Sequence, residues 1–376
     1  MEKHLHIITH ELPWPADYGG RMDLYYKITA LSRKGILLHL HAFSKELPTD
    51  DFFQKMKAYC TEVNVYPRKG LPSPKDILLP YIISSRNSSL LLSNILKDRH
   101  PVLLEGLHCS YLLHSGALQD RKVILRAHNV EFIYYRQLAE GEPSFLRRLY
   151  FQVESQLLKK YEKKIIPKLS VLCVSELDRF EYHRCFGKSD AFFLPVFTGF
   201  RPDPPTGMGQ YALYHGNLSV NENIRAVEWL AQEVYGDEDL MPLVIAGRNP
   251  SNAFKNWLNK KKNIRLVENP SDEEMETLIK EAHVHLLPSM NRTGVKLKLL
   301  HALNMGRFVI CNEACSKGSG VESLCLHASD GFEWKALLKD IIAKEFTEKL
   351  KQERIHVLSS VYDNESNADQ LIRWIY

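Results

Sequence analysis

The chain has 376 residues, a net charge of +4, and 44% hydrophobic and 25% charged residues. These are ordinary proportions for a soluble globular protein, and the length exceeds what one hydrophobic core usually holds. The charge is mild, with no dense basic tail and no RNA- or DNA-binding signature, so nucleic acid is not an expected partner. Seven scattered cysteines make no disulfide framework and suit a reducing cytoplasm.

The first stretch, "MEKHLHIITHELPWP", lacks the charged start, apolar run and cleavage site of a signal peptide. No later segment reaches the roughly 18 apolar residues of a membrane span, so a cytoplasmic protein is expected. "HLHIIT" (4–9) reads as the first strand. In "ELPWPADYGGRMDLYYKITALSRKG" behind it, Gly19 and Gly20 open a helix and Arg21 follows. Paired glycines let backbone N–H groups approach an anion at a helix N-terminus, where the dipole favours negative charge.

Strands are predicted at 36–43, 62–67, 101–106, 122–128 and 170–175, mostly separated by helical patterns. "RAHNVEFIYY" puts His128 at the carboxyl end of one of them, with Asn129 and Glu131 starting the next helix. In 145–168, "FLRRLYFQVESQLLKKYEKKIIPK", basic residues alternate with bulky apolar ones, as on a helix lying against anionic lipid. "LPVFTGFRPDPPTGMGQ" (194–210) has the proline and glycine content of a linker.

Strand and helix alternation then restarts, with strands at 211–217, 242–248, 263–269, 284–289 and 307–313. Two of these end in Gly216 with Asn217, and in Gly247 with Arg248, the strand–glycine–polar-loop pattern of a nucleotide site. Asn221 and Asn223 lie near the cap of the helix after the first. In "GVKLKLLHALNMGRFVI" (294–310), helical spacing places Gly294, Lys298 and His301 on one stripe of an otherwise apolar helix. Glycine, helix dipole and the charges of Arg292 and Lys298 together suit a diphosphate.

Asp237 and Asp239 form an Asp-x-Asp, but after a helix and before a strand, the wrong end of a sheet for catalysis. The histidine pairs His4/His6, His39/His41 and His283/His285 have no carboxylate or cysteine spaced to complete a metal set, and Cys311 with Cys315 makes no zinc pattern. The sequons at Asn87, Asn217, Asn291 and Asn364 carry no meaning without a secretory route.

Alternating β and α over this length predicts an α/β protein of two facing, Rossmann-like, doubly wound domains. The expected boundaries are 1–200, joined by a C-terminal crossover helix at 360–376, and 201–359. Since such sheets bind ligands at the carboxyl ends of their strands, an interdomain cleft is the expected site.

With these pieces in order, the chain resembles the family 4 retaining glycosyltransferases of the GT-B fold. The residues carrying the resemblance are "PWPADYGGR…LSRKG", "RAHNVE", "LCVSELD", "HGNLSVNENIRAVEWL", "VIAGR" and "LLPSMNRTGVKLKLLHALNMGRFVI". The resemblance implies a nucleotide-diphospho-sugar donor on the C-terminal domain and a glycan or lipid-linked acceptor on the N-terminal one. It places Gly20 near the donor phosphates and matches His128 to the histidine that contacts the transferred sugar. Gly19, Arg21, Gly216, Asn217, Gly247, Arg248, Gly294 and His301 complete the implied donor set, and Asn129, Glu131 and Glu105 stand on the acceptor side.

The chain also departs from the family. Thr293 and His301 replace the usual Glu-x7-Glu pair, whose second carboxylate holds the ribose, and Asn217 and Glu222 replace a Gly-Arg…Lys. The implied activity is retaining transfer of a hexose in surface polysaccharide or glycolipid synthesis, by a cytoplasmic enzyme at the inner face of the membrane. Lys298, Arg292 and backbone donors would stabilise the departing diphosphate without a metal or other cofactor. A GT-B scaffold that has lost catalysis, and an epimerase using Glu105 and Glu131 as acid and base, are the alternatives.

Overall fold

Strands buried on both faces read as nearly continuous apolar runs, and the strands of this chain do so. In a computed structural model describing residues 2–17, 19–71, 73–236 and 240–376, they form two parallel sheets. Asp237 and Asp239 lie outside the described residues.

The first sheet contains β1 (His4–Thr9), β2 (Leu37–Ser44), β3 (Glu62–Pro67), β4 (Val102–Glu105), β5 (Val123–Ala127), β6 (Ser170–Cys173) and β7 (Ala191–Phe193), in the order β3-β2-β1-β4-β5-β6-β7. Alternate residues enter separate cores: Leu5, Ile7 and Leu103 on one face, Ile8, Val102 and Leu104 on the other. The last helix, Asn364–Ile375, adds Ala368, Leu371 and Ile375 to the core that holds Ile28 and Leu31 of the Gly19–Arg33 helix. Lys34 binds Asp369 at 2.9 Å beside that contact.

The second sheet contains β8 (Ala212–Asn217), β9 (Leu243–Arg248), β10 (Ile264–Glu268), β11 (Val284–Leu287), β12 (Phe308–Cys311) and β13 (Leu326–His327), ordered β10-β9-β8-β11-β12-β13. Ala212, Tyr214 and Ile245 fill one face, and Leu213, Val244 and Ala246 the other. Contacts divide the chain into one unit of residues 1–199 with 362–376 and a second of residues 200–361.

Three local features differ from the sequence expectation. The helix near 294 begins only at Leu297, because Gly294 sits at φ +65° before it. Gly294 therefore does not share a helical stripe with Lys298 and His301. The edge strands β7 and β13, three and two residues long, carry too little pattern to be read. The exposed face of the Phe145–Ile165 helix alternates only at its start, where Arg147 and Arg148 sit between apolar Phe145, Leu146, Leu149 and Val153, while Lys159, Lys160, Lys163 and Lys164 gather at its end. Leu158, Tyr161 and Ile165 turn inward.

Candidate functional site

Each sheet reverses its strand order at one point, between β1 and β4 in the first and between β8 and β11 in the second. Doubly wound sheets bind ligands outside the strand carboxyl ends at such points, and each domain gathers polar side chains there.

In the first domain, Asp23 and Lys27 lie one helical turn apart on the Gly19–Arg33 helix. Lys27 Nζ donates to Asp23 Oδ2 and to both oxygens of Glu105 at the end of β4, each at 2.9 Å. Asp23 Oδ1 accepts the Phe197 N–H at 2.7 Å and faces Arg126 of β5 at 3.6 Å. His128, just past β5, places Nε2 3.3 Å from Glu105 Oε2 and 3.9 Å from Asp23 Oδ2.

Asp23, Lys27, Glu105 and Arg126 are all buried, where isolated charges would be costly. Burial, the largest single effect, pushes both carboxyl pKa values up, but Lys27 together with Arg126 and His128 at Asp23, and with the His128 hydrogen bond at Glu105, holds them below their ordinary values. The His128 pKa is lowered by burial, which exceeds the effect of the Glu105 hydrogen bond. A neutral imidazole thus stands on a closed set of two acids and two bases.

His10 stacks on His108 at 4.9 Å and meets His128 edge-on at 5.6 Å. Arg21 lies 3.3 Å from Asp17 and 3.7 Å from Glu11, and helps line a cavity of about 330 Å³ with His10, Trp14, Lys45 and Arg68. Gly19 and Gly20 begin their helix as expected.

The Asn129 carbonyl accepts the Tyr182 hydroxyl at 3.1 Å. Glu131 is buried, and burial together with nearby Asp178 pushes its carboxyl up to about 8. At the same helix start, Glu162 accepts the backbone N–H groups of Glu131 and Phe132 at 3.1 and 3.0 Å. The Glu131–Gly141 helix is therefore capped by a carboxyl group from the Phe145–Ile165 helix, whose pKa burial and nearby Glu131 push well up. Glu105 thus favours its ionised form and Glu131 its protonated form.

In the second domain Gly216 pairs with Gly247 and Asn217 with Arg248 in the sheet. A Cβ on Gly247 would lie 2.0 Å from the Gly216 carbonyl oxygen, so the glycine is required by strand-end packing itself. Arg248 binds Asp272 at 2.8 Å on the surface. Asn217 accepts from Ser219, and its carbonyl accepts from the Asn223 amide at 2.9 Å.

Lys298 reaches back to this cluster. Its Nζ donates to Tyr214 Oη at 3.0 Å and Asn223 Oδ1 at 2.8 Å, and lies 4.7 Å from the Tyr214 ring centroid. Burial lowers its pKa, and among the described residues it makes no ion pair. Nearby Glu222 is engaged by Ser289 Oγ at 3.0 Å.

The loop ahead of the Leu297–Met305 helix is fixed by Asn312, whose side chain bonds both the N–H and the carbonyl of Ser289 at 3.0 and 2.7 Å. Asn291 accepts from Thr293 N–H and hydroxyl at 2.8 and 2.9 Å. No side chain caps this helix. Arg292 is exposed on a different cavity, with Asn312, Glu313, His327 and Glu333.

His301 stacks on Phe200 at 4.7 Å and meets His215 edge-on at 5.8 Å. Its pKa is pushed down to about 4. The cause is burial, partly offset by Asp272. Sequence reading missed Asp23, Lys27 and Arg126. The four-residue spacing behind Gly19–Gly20, and the alternation of Arg126 with His128, were the available signals.

Two parallel doubly wound α/β domains of seven and six strands, with their polar clusters at strand ends, define a GT-B fold. Residues 209–352 match the family described as group 1 glycosyl transferases. Over 336 residues the chain is 29% identical to an uncharacterized 44.6 kDa protein in the cps region of Klebsiella pneumoniae, covering 84% of each.

Among solved structures, TarM superposes with a TM-score of 0.68 at 10% identity, covering 100% of this chain and 99% of that one. A glycosyltransferase from Rickettsia africae gives 0.65 at 12%, covering 99% and 98%. Anabaena HepE, in complex with UDP and glucose, gives 0.62 at 11%, covering 98% of each. At these identities the structural likeness establishes the fold. The match to the group 1 family supports a transferase.

Proposed function

We propose that the protein transfers a hexose from a nucleotide-diphospho-sugar to an acceptor hydroxyl with retention of configuration, in the synthesis of a surface polysaccharide or glycolipid. The carrying observation is Lys298, a buried amine at a strand-end cluster whose partners are a hydroxyl and an amide, ahead of which the Leu297 helix start lacks a side-chain cap. A diphosphate supplies the missing negative charge. The cps-region relative and the UDP and glucose carried by Anabaena HepE support this choice of substrates.

In the proposed reaction the bond between the anomeric carbon and the diphosphate breaks as the acceptor oxygen bonds to the same face. The acceptor proton passes to the departing phosphate oxygen. Lys298 and the helix amides stabilise the leaving charge, so the reaction as proposed requires no metal; Arg292, on a different cavity, is not placed with them. His128, kept neutral, offers a hydrogen bond to a sugar hydroxyl. Transfer assays with UDP- and GDP-sugars test the reading. Lys298→Ala is expected to lower turnover by about a hundredfold, on the order of 3 kcal/mol. A loss of less than a few-fold in a folded variant rules out the diphosphate assignment.

A lipid-linked acceptor is favoured by one surface. Phe145 and Leu146 are 74% and 76% exposed at the start of their helix, beside Arg147 and Arg148, with Leu149 and Val153 continuing the row. The Tyr81 N–H bonds Glu154 of this helix at 2.9 Å, bringing exposed Ile77 and Leu78 nearby in the chain. Apolar side chains flanked by arginine suit an anionic bilayer surface. Co-sedimentation with vesicles containing phosphatidylglycerol should fall when Phe145 and Leu146 become Ser. Equal binding to neutral vesicles, or none, removes this reading.

A further inference from the structure

The amino-terminal ends of β1 and β2, opposite the strand ends described above, carry four histidines in two layers. In the inner layer His6 Nδ1 lies 2.9 Å from His41 Nε2. Every remaining ring nitrogen there has a protein partner: His6 Nε2 lies 3.0 Å from Asp98, and His41 Nδ1 lies 2.8 Å from Tyr66 Oη. That layer is closed.

The outer layer repeats the pairing, with His4 Nδ1 3.1 Å from His39 Nε2, but it is completed differently. His100, from the loop before β4, stacks on His4 at 4.4 Å. One ring nitrogen from each of His4, His39 and His100 lies within 4.8 Å of those of the other two. The far nitrogen of each paired ring faces a carboxylate: His39 Nδ1 lies 3.5 Å from Glu62, and His4 Nε2 lies 3.7 Å from Glu2.

We propose that His4, His39 and His100 form a binding site for a zinc-type divalent transition-metal ion, separate from the sugar-transfer chemistry. Zinc–nitrogen bonds of about 2.0–2.1 Å place tetrahedral ligands about 3.4 Å apart, close to the His4–His39 separation. Imidazole is a preferred ligand of such ions. Ligating histidines typically donate their second N–H to a carboxylate, which fixes the tautomer and strengthens the ligand; Glu62 and Glu2 stand on that side of the rings, at 3.5 and 3.7 Å, without a formed hydrogen bond.

The His100 ring must turn out of its stack on His4, where the two planes lie 8° apart, to aim a nitrogen at the ion. Its backbone is already anchored, its N–H to Asp98 at 2.9 Å and its carbonyl to Arg121 at 2.6 Å. A water completes the shell. Such an ion ties β1, β2 and the segment entering β4 together, a structural role. The spacing 4, 39, 100 hides the set in the sequence, because a parallel sheet assembles it.

The test is titration of the chelator-treated full chain with Co²⁺, read by d–d absorption, and with Zn²⁺, read by calorimetry and melting temperature. One equivalent should bind with a tetrahedral cobalt spectrum and raise the melting temperature. His100→Gln and His4→Gln should each weaken binding by at least about tenfold, and Glu62→Gln by about tenfold through the second N–H. His4 and His100 are partly exposed, so these variants remain informative if His39→Gln unfolds. Absence of saturable binding, or binding unchanged in His4→Gln and His100→Gln, overturns the proposal. Activity is not the readout, so failure here leaves the sugar-transfer reading untouched.

Discussion

The polar clusters of the two domains handle buried charge in opposite ways. Lys27 is enclosed by Asp23 and Glu105, with Arg126 beside them, so every charge has an opposite neighbour within the protein. Lys298 is held by Tyr214 and Asn223, neutral groups that orient an amine without balancing it. A self-contained network stabilises a fold, and breaking it leaves a buried charge unpaired. An oriented but unbalanced cation is prepared for an anion from outside. The first cluster is therefore scaffold beneath His128, and the second is where the proposed reaction would place substrate charge.

Methionine replacements break this comparison most directly. Lys27→Met should destabilise the first domain by about 3–5 kcal/mol, since Asp23 and Glu105 lose their shared partner; urea unfolding measures it. Lys298→Met should leave the melting temperature unchanged or higher, because a desolvated charge is replaced by an apolar chain of similar length. Its loss should instead show as absent stabilisation by nucleoside diphosphates. If the two variants lose equal stability, the distinction between the clusters fails.

The pH dependence separates the domains next. Glu131 titrates near 8 in the folded chain against an ordinary 4.5. The folded state thus keeps a proton that the unfolded state releases, and this contribution is complete below pH 4.5 and lost as pH rises to 8. His301 is the reverse: with a folded value near 4 against 6.5, stability is gained as pH rises through that interval. Glu131→Gln should flatten the upper window and His301→Gln the lower one, as followed by melting temperature against pH. A wild-type profile reproduced by both variants would show that neither group is perturbed.

The smallest effect is expected for His301→Glu. A carboxylate can accept from two ribose hydroxyls, whereas neutral imidazole has one acceptor nitrogen. Nucleoside diphosphate affinity should tighten by less than about tenfold, roughly 1.4 kcal/mol. Calorimetry showing weaker binding to every nucleotide would assign the ring to its stack on Phe200.

Much of this was legible in the residues, for identifiable reasons. β1 and β4 are apolar runs because both faces are buried, so "HLHIIT" and "PVLLEG" mark them directly. Gly19, His128 and Lys298 stood out because strand ends and helix starts are where ligands meet parallel sheets. The partners of these residues were not legible. Lys27 and Glu105 are 78 positions apart, and only the adjacency of β1 and β4 joins them. Local pattern also misplaced the start at Leu297, since a glycine at positive φ leaves the apolar periodicity intact while ending the helix.

The Glu162 cap carries a mechanical consequence. One carboxyl group on the outer Phe145–Ile165 helix grips the two amides that begin the helix behind His128. Sliding that outer helix along its axis by even a fraction of a turn would pull the grip from the amides and slacken the backbone carrying the imidazole. A load applied at Phe145 and Leu146 would reach the start of the inner helix through Glu162 and through Ser155, whose hydroxyl donates to the Phe132 carbonyl at 2.8 Å.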